Sequence, residues 1–203
     1  MGRPSNTEER RRQIVDGLLT VMAERGYAAA TIASVAEAAG VAAGLVHYHF
    51  DNKQEILLAL VDTLGERARA RRAAFVKHAR TARTRLFAAI DALLASGDGA
   101  DARAVACWVA IGAEALRQPE VRRQYERLVR DAIGELEALL RDVLRSESRS
   151  TAKAGVAAAG LMAAVEGCFR LAAAAPDVIA AGSAAGLVRA MAVGLIEAEA
   201  VRR

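Results

Sequence analysis

The chain has 203 residues, 54% of them hydrophobic and 26% charged, with only 3 Pro and a net charge of +4. High apolar content with small net charge excludes collagen-like, mucin-like and broadly disordered chains. The two cysteines, Cys107 and Cys168, fit no zinc or redox spacing, so a reducing cytoplasm is expected, with no metal and no cofactor. Ala is abundant and β-branched residues are few, which favours helices over sheets. Charge, not a secretory apolar core, follows the N-terminus. The longest runs free of charge and His, 154–165 and 178–188, fall short of the ~20 apolar residues that span a bilayer, so no membrane partner is expected.

Helices account for nearly the whole chain. Ser5-Asn6-Thr7-Glu8 reads as a capping box. The helix behind it carries Ile14, Leu18, Val21 and Met22 on one face and closes at Gly26 with a left-handed cap. Thr31 precedes a helix of barely two turns bearing Ile32, Val35, Ala36 and Ala39, and Gly40 ends it. A third short helix runs from Leu45 to Phe50. Asp51-Asn52 caps the next, with Glu55 as the returning partner and Ile56, Leu57, Leu60, Val61 and Leu64 as its apolar face. Longer helices are expected over 66–80 and 82–96, then, after the loop Gly97-Asp98-Gly99, over 101–116 and 119–145. Pro119 suits a first helical turn. After a polar linker over 146–150, two apolar helices occupy 151–174 and 178–200.

Thr31 to Phe50 carries the functional signal. Two short helices joined by a Gly-initiated turn make a helix-turn-helix pattern. Ala36 suits the close approach of the two helices, and Val41, Val46 and Phe50 plug the core behind the second. Its other side keeps Ala43, Gly44, Leu45, His47, Tyr48 and His49, with Lys53 nearby. Small residues at the start admit DNA closely, and the polar and aromatic side chains supply donors and an edge for a major groove. On spacing alone, a plain αα-hairpin competes equally with DNA binding. Charge does not decide the matter: residues 1–53 carry six Lys/Arg and six Asp/Glu, whereas 67–85 carry eight Lys/Arg and no acid, most simply a solvated face. Arg11 and Arg12 read as a solvated helix start. Arg3, on its Gly-Arg-Pro arm, is as readily a phosphate contact as a free tail. His47 and His49, two apart on a helix, point about 200° apart and cannot chelate one ion.

The run Thr31 to Leu57, with Tyr48-His49-Phe50 and Asn52-Lys53-Gln54-Glu55, resembles the tetracycline-repressor (TetR) family of bacterial transcription regulators over about residues 8–68. Trp108 to Pro119 is similar to the C-terminal domain of the choline-responsive BetI-like branch. The resemblance implies an all-α protein: a three-helix helix-turn-helix DNA-binding domain over 1–52, and a larger helical domain over 53–203 for effector binding and dimerisation. It implies a homodimer on a palindromic operator of double-stranded DNA, usually repressing and released by a small-molecule effector. In it Thr31 contacts phosphate, Ala43, Gly44, Leu45 and His47 face bases, and Tyr48, His49 and Lys53 hold the DNA backbone. Ala42 and Leu45 depart from the polar Ser and Thr frequent there, which removes hydroxyl contacts.

Six glycines, Gly155, Gly160, Gly167, Gly182, Gly186 and Gly194, punctuate the last two helices at a cost of ~1 kcal/mol each against Ala. Close helix–helix approach is the physical reason for tolerating them, and a second copy packing on the apolar pair covers both. Candidate effector contacts are Trp108, Ile111, Tyr125, Glu166 and Phe169. Glu166 lies among Met162, Val165 and Phe169, so its carboxylate is either paired or poised for a ligand. Aromatics total only 4%, too few to argue for a quaternary-ammonium cage on composition. No nucleophile–base pair, metal spacing or phosphate loop points to an enzyme. A helical dimeric scaffold without DNA binding is the alternative.

Overall fold

The computed structural model describes residues 6–94, 101–180 and 182–201. Among them are nine helices and no strand: α1 (Asn6–Ala29), α2 (Ile32–Ala39), α3 (Ala43–His49), α4 (Lys53–Val76), α5 (Ala82–Leu93), α6 (Ala102–Ala115), α7 (Pro119–Ser146), α8 (Ala154–Ala174) and α9 (Ala184–Glu197). The all-α expectation is met. The capping box led by Ser5, the Arg3 arm and the 97–99 loop lie outside the described residues. Boundaries move in two places: 53–76 is a single helix, where the sequence pattern suggested a break near 65, and the last helix begins at Ala184 and not at 178. Gly26 interrupts α1 with φ 74 and ψ 168, so it kinks the helix instead of forming the left-handed cap expected of it, and helical backbone resumes to Ala29.

The chain packs as two compact units. Residues 1–65 and 102–125 form one, and 66–101 with 126–203 form the other. The sequence division at 52/53 therefore does not coincide with the packing. The start of α4, all of α6 and the first turns of α7 fold with the helix-turn-helix.

In the first unit α1 is the hub, packing on α2, α3 and α6. Ile14, Leu18, Val35, Val46, Phe50, Ile56, Leu57 and Leu60 are fully buried or nearly so. α2 begins with a reciprocal cap: the Thr31 hydroxyl accepts from the Ser34 N–H, and the Thr31 N–H donates to Ser34 Oγ. It ends at Gly40 in the left-handed region, φ 66 and ψ 34, as the sequence suggests. A close helix approach in this unit is made at Gly17, a residue the sequence did not single out. A Cβ on Gly17 of α1 would lie 2.7 Å from the Val35 carbonyl oxygen and 2.9 Å from Ala39 Cβ of α2.

The second unit has its own core, built from Leu86 and Ile90 of α5, Leu136, Leu140 and Val143 of α7, Leu161 and Val165 of α8, and Val188 and Ile196 of α9. Arg149 ties the α7–α8 linker to the end of α9. Its guanidinium donates to the Glu197 and Glu199 carbonyls, satisfying acceptors that a helix end leaves open. Arg72 is nearly buried and forms a two-bonded pair with Glu135 at 2.6 and 3.2 Å.

Gly17→Ala should destabilise the protein by about 1–3 kcal/mol in denaturant unfolding, although Ala is the better helix former, because the added methyl meets backbone across the contact. A variant at least as stable as the parent would show that the α1–α2 approach relaxes freely.

Candidate nucleic-acid interface

The geometry of α3 follows from which of its residues have somewhere to go. Val46 and Phe50 are buried, and that anchors one face. Ala43, Gly44, His47 and Tyr48 on the other are exposed, with Tyr48 at 79%. A Cβ placed on Gly44 would meet nothing within 4 Å, so the helix start offers clear space for close approach. Leu45 and His49 are half-buried. The His49 ring meets Tyr48 edge-on, centroids 5.0 Å apart, which restricts both rings. Thr31 is exposed at the head of α2.

Lys53 is occupied by the fold. Its ammonium donates to the Tyr27 carbonyl at 3.0 Å and the Ala30 carbonyl at 2.8 Å, and lies 4.2 Å over the Tyr27 ring. It satisfies the end of α1 and pins the start of α4 to it, a structural use the sequence reading did not foresee. Tyr27 is itself partly buried, and that burial pushes its phenol above the ordinary value. The hydrogen bond with Gln118 opposes the shift, and the Glu114 charge adds to it.

Arg11 is also tied in, where the sequence reading left it solvated. It donates to the His49 carbonyl, and its guanidinium lies 4.1 Å over the Phe50 ring. The signal was present in the arrangement of a cation on α1 and an aromatic at the end of α3. Thirty-nine residues of sequence separate the two, and only the fold brings them together.

The proposed effector residues fall into both units. Trp108 and Tyr125 come together in the first as a stacked pair, centroids 4.9 Å apart at 30°. Ile111, three residues beyond Trp108 on α6, is fully buried. Glu166 and Phe169 belong to the second unit, half-buried on α8, with Phe169 packed against that unit's core. A small cleft of 10 Å³ between α7, α8 and α9, lined by Leu140, Leu144, Ala157 and Leu195 among others, has room for about one water and contains none of the five.

Two short helices joined at Gly40, the second with one face buried and the other exposed, make a helix-turn-helix unit. Comparison with known proteins agrees. Residues 14–60 match the family model for bacterial regulatory proteins of the tetR family, and residues 82–197 that for the C-terminal region of BetI-type transcriptional repressors. The BetI regulator of Rhizobium meliloti is 36% identical over 114 residues, 56% of this chain and 56% of that protein. That of Serratia proteamaculans is 32% identical over 164 residues, 79% of each. A solved transcriptional regulator of Saccharomonospora viridis, in complex with choline, shares the fold with a TM-score of 0.78 at 23% identity, covering 97% of this chain and 100% of that one. The chain belongs to the TetR family of helix-turn-helix transcriptional regulators.

Two substitutions separate interface from scaffold. Tyr48→Ala should leave unfolding free energy within ~0.5 kcal/mol of the parent and weaken DNA binding roughly ten-fold. Lys53→Met should instead lower stability by about 1–2 kcal/mol, because two carbonyls lose a charged donor. Thermal melts and gel shifts of both variants check this, and a destabilised Tyr48→Ala would place the ring in the fold.

Proposed function

We propose that the protein is a cytoplasmic, homodimeric repressor that holds a palindromic operator through α3 of each copy and lets go when a small molecule binds. The observation that carries the reading is the exposed Ala43-Gly44-His47-Tyr48 face on a helix whose opposite face is anchored by Val46 and Phe50. Ala43, Gly44, Leu45 and His47 face the bases. Tyr48, His49 and the Thr31 hydroxyl reach the phosphate backbone, and Lys53 adds its charge from the base of α4.

The dimer reading is supported by α8 and α9. Val156, Leu171, Leu187, Met191 and Leu195 are exposed along them, and Gly160, Gly167, Gly186 and Gly194 have open space where a Cβ would stand. This is the surface of a helix pair awaiting close-packed cover. α8 also corrects the length argument made from charge-free runs: over Ala154–Ala174, Glu166 and Arg170 included, it is long and apolar enough to cross a membrane. Its Ala154-Ala158-Leu161-Val165 face is spent on the core of its own unit, and a second copy suits the remaining face better than lipid.

For the effector, the BetI-type match and the choline held by the Saccharomonospora regulator make a quaternary ammonium ion the first class to try. Trp108 and Tyr125 are its aromatic contacts, with Ile111 the further candidate in the same unit.

The test begins with a 30-base-pair duplex enriched from random sequence by the protein itself. An enriched site with two-fold symmetry is the expected result; failure to enrich any duplex removes the DNA reading in favour of a scaffold. Leu187→Glu with Met191→Glu should halve the solution mass and weaken binding to that duplex by roughly 100-fold or more, through loss of the paired half-site. Unchanged mass would locate the dimer surface elsewhere. Trp108 is the chain's single tryptophan, so its emission reports the stack directly. Choline should shift that emission and release the duplex over one concentration range, and an emission that choline leaves unmoved argues for another class of effector.

A further inference from the structure

We propose that Arg11 and Glu55 form a bracket around the turn between α3 and α4, and that they serve DNA binding as positioning residues, setting the pose of α3 without touching DNA. The proposal rests on the reading of α3 as the DNA-facing helix. Two side chains from two other helices grip three consecutive residues, and the Glu55 backbone holds a fourth. Arg11 of α1 donates to the His49 carbonyl and covers the Phe50 ring. Glu55, on the first turn of α4, accepts from the Asp51 N–H at 2.8 Å, and its own N–H donates to Asn52 Oδ1 at 3.0 Å. The bracket is closed by Arg11 Nη2 and Glu55 Oε1, 3.7 Å apart.

Both side chains are about two-fifths exposed, 41% and 40%, so their mutual attraction adds little stability. The value of the arrangement is geometric. α3 has seven residues and no side-chain cap at its start, so its direction is set at its end. At 1.5 Å per residue it is ~10 Å long, and a tilt of about 15° about the turn moves Ala43 and Gly44 by ~3 Å, more than a base-edge hydrogen bond tolerates. A planar guanidinium reaches a carbonyl, a ring face and a carboxylate at once, which an ammonium does not.

The competing role is a direct phosphate contact by Arg11, and the two roles predict opposite outcomes. A carboxylate near DNA repels phosphate, so on charge alone Glu55→Ala tightens binding. As half of a bracket it weakens binding. Arg11→Lys keeps the charge that a phosphate needs and loses the fork. Loss of a phosphate contact reduces the salt slope of log K by about 0.9, and loss of positioning leaves the slope alone.

The experiment uses the full-length protein and the enriched duplex described above, over a salt series. Glu55→Ala and Arg11→Lys should each weaken binding roughly ten-fold, with the salt slope of the parent kept in Arg11→Gln. In the free protein, hydrogen exchange at the Phe50 and Asp51 amides should speed up while the melting midpoint holds. Tighter or unchanged binding by Glu55→Ala, unchanged binding by Arg11→Lys, or a slope lowered by about 0.9 in Arg11→Gln overturns the proposal. Should Glu55→Ala fail to fold, Glu55→Gln keeps an acceptor for the Asp51 N–H, loses the ion pair and is judged by the same criteria. If the parent enriches no duplex, the DNA reading itself falls and takes the proposal with it. Enrichment by the parent followed by any of the contrary variant results sinks the bracket alone.

Discussion

A helix of seven residues cannot hold itself together in water, since the few hydrogen bonds so short a segment makes do not recover the entropy lost in nucleating its first turn. α3 is such a helix, and under the proposed reading it carries most of the groups offered to DNA. Everything else in the first unit can be understood as the means of keeping it folded and aimed. Val46 and Phe50 lock its inner face into a core shared with α1 and the start of α4. Arg11 takes the carbonyl at its end. Lys53 fastens the following helix to the end of α1. Gly17 lets α2 lie against α1 at a distance that a methyl group would prevent. The same short helix on a free peptide would have the same side chains and no fixed direction.

Electrostatics play a smaller part than the basic overall charge suggests. The unit containing the helix-turn-helix has ten Lys/Arg and ten Asp/Glu, so the whole net charge of +4 belongs to the other unit, with eighteen and fourteen. Of the first unit's cations, Arg11 and Lys53 hold backbone carbonyls. Of the eight in 67–85, Arg72 and Arg83 pair with Glu135 and Glu147. A neutral reading head has little non-specific grip, because that grip comes from neutralised phosphates. Recognition by such a surface leans on the fit of α3, which gives the correctness of its pose more weight than in a strongly basic domain.

What was legible in the sequence follows the range of the interactions involved. The Gly40 turn and the Asn52–Glu55 cap are local, spanning a few residues, and both stand as the residues suggest. Helix type and order were legible because apolar periodicity is local too. The break expected near residue 65 was false because the change of composition there marks where α4 passes from one packed unit to the other, and helical hydrogen bonding is indifferent to that change. The contacts that tie Arg11, Lys53 and Gly17 into the fold escape the sequence for one reason. The partners of these residues lie 18 to 44 residues away, and an arginine on a helix start looks the same in sequence whether a carbonyl or only water lies opposite. Among the proposed effector residues, the Trp108–Tyr125 stack is a real pairing that spacing alone could not supply.

The division into units also bears on how an effector reaches DNA. The sequence suggested a reading head and a separate sensor joined near residue 52, which requires a signal to cross a linker. The structure instead folds α6 and the first turns of α7 together with the head, and α6 packs along α1. Glu114 accepts from Gln118 where α6 meets α7, and Gln118 in turn bonds Tyr27, whose ring and carbonyl hold Lys53. The Trp108–Tyr125 stack bridges the same two helices. Under the proposed reading, a ligand that parts this stack displaces α6 against α1, the helix on which Gly17 and Arg11 fix α2 and α3. Coupling then requires only that the ligand favour one packing of α6 over another. A shift of a few ångströms is sufficient, because a helix aimed from its end by the turn into α4 loses its fit to the groove before any of its own hydrogen bonds break.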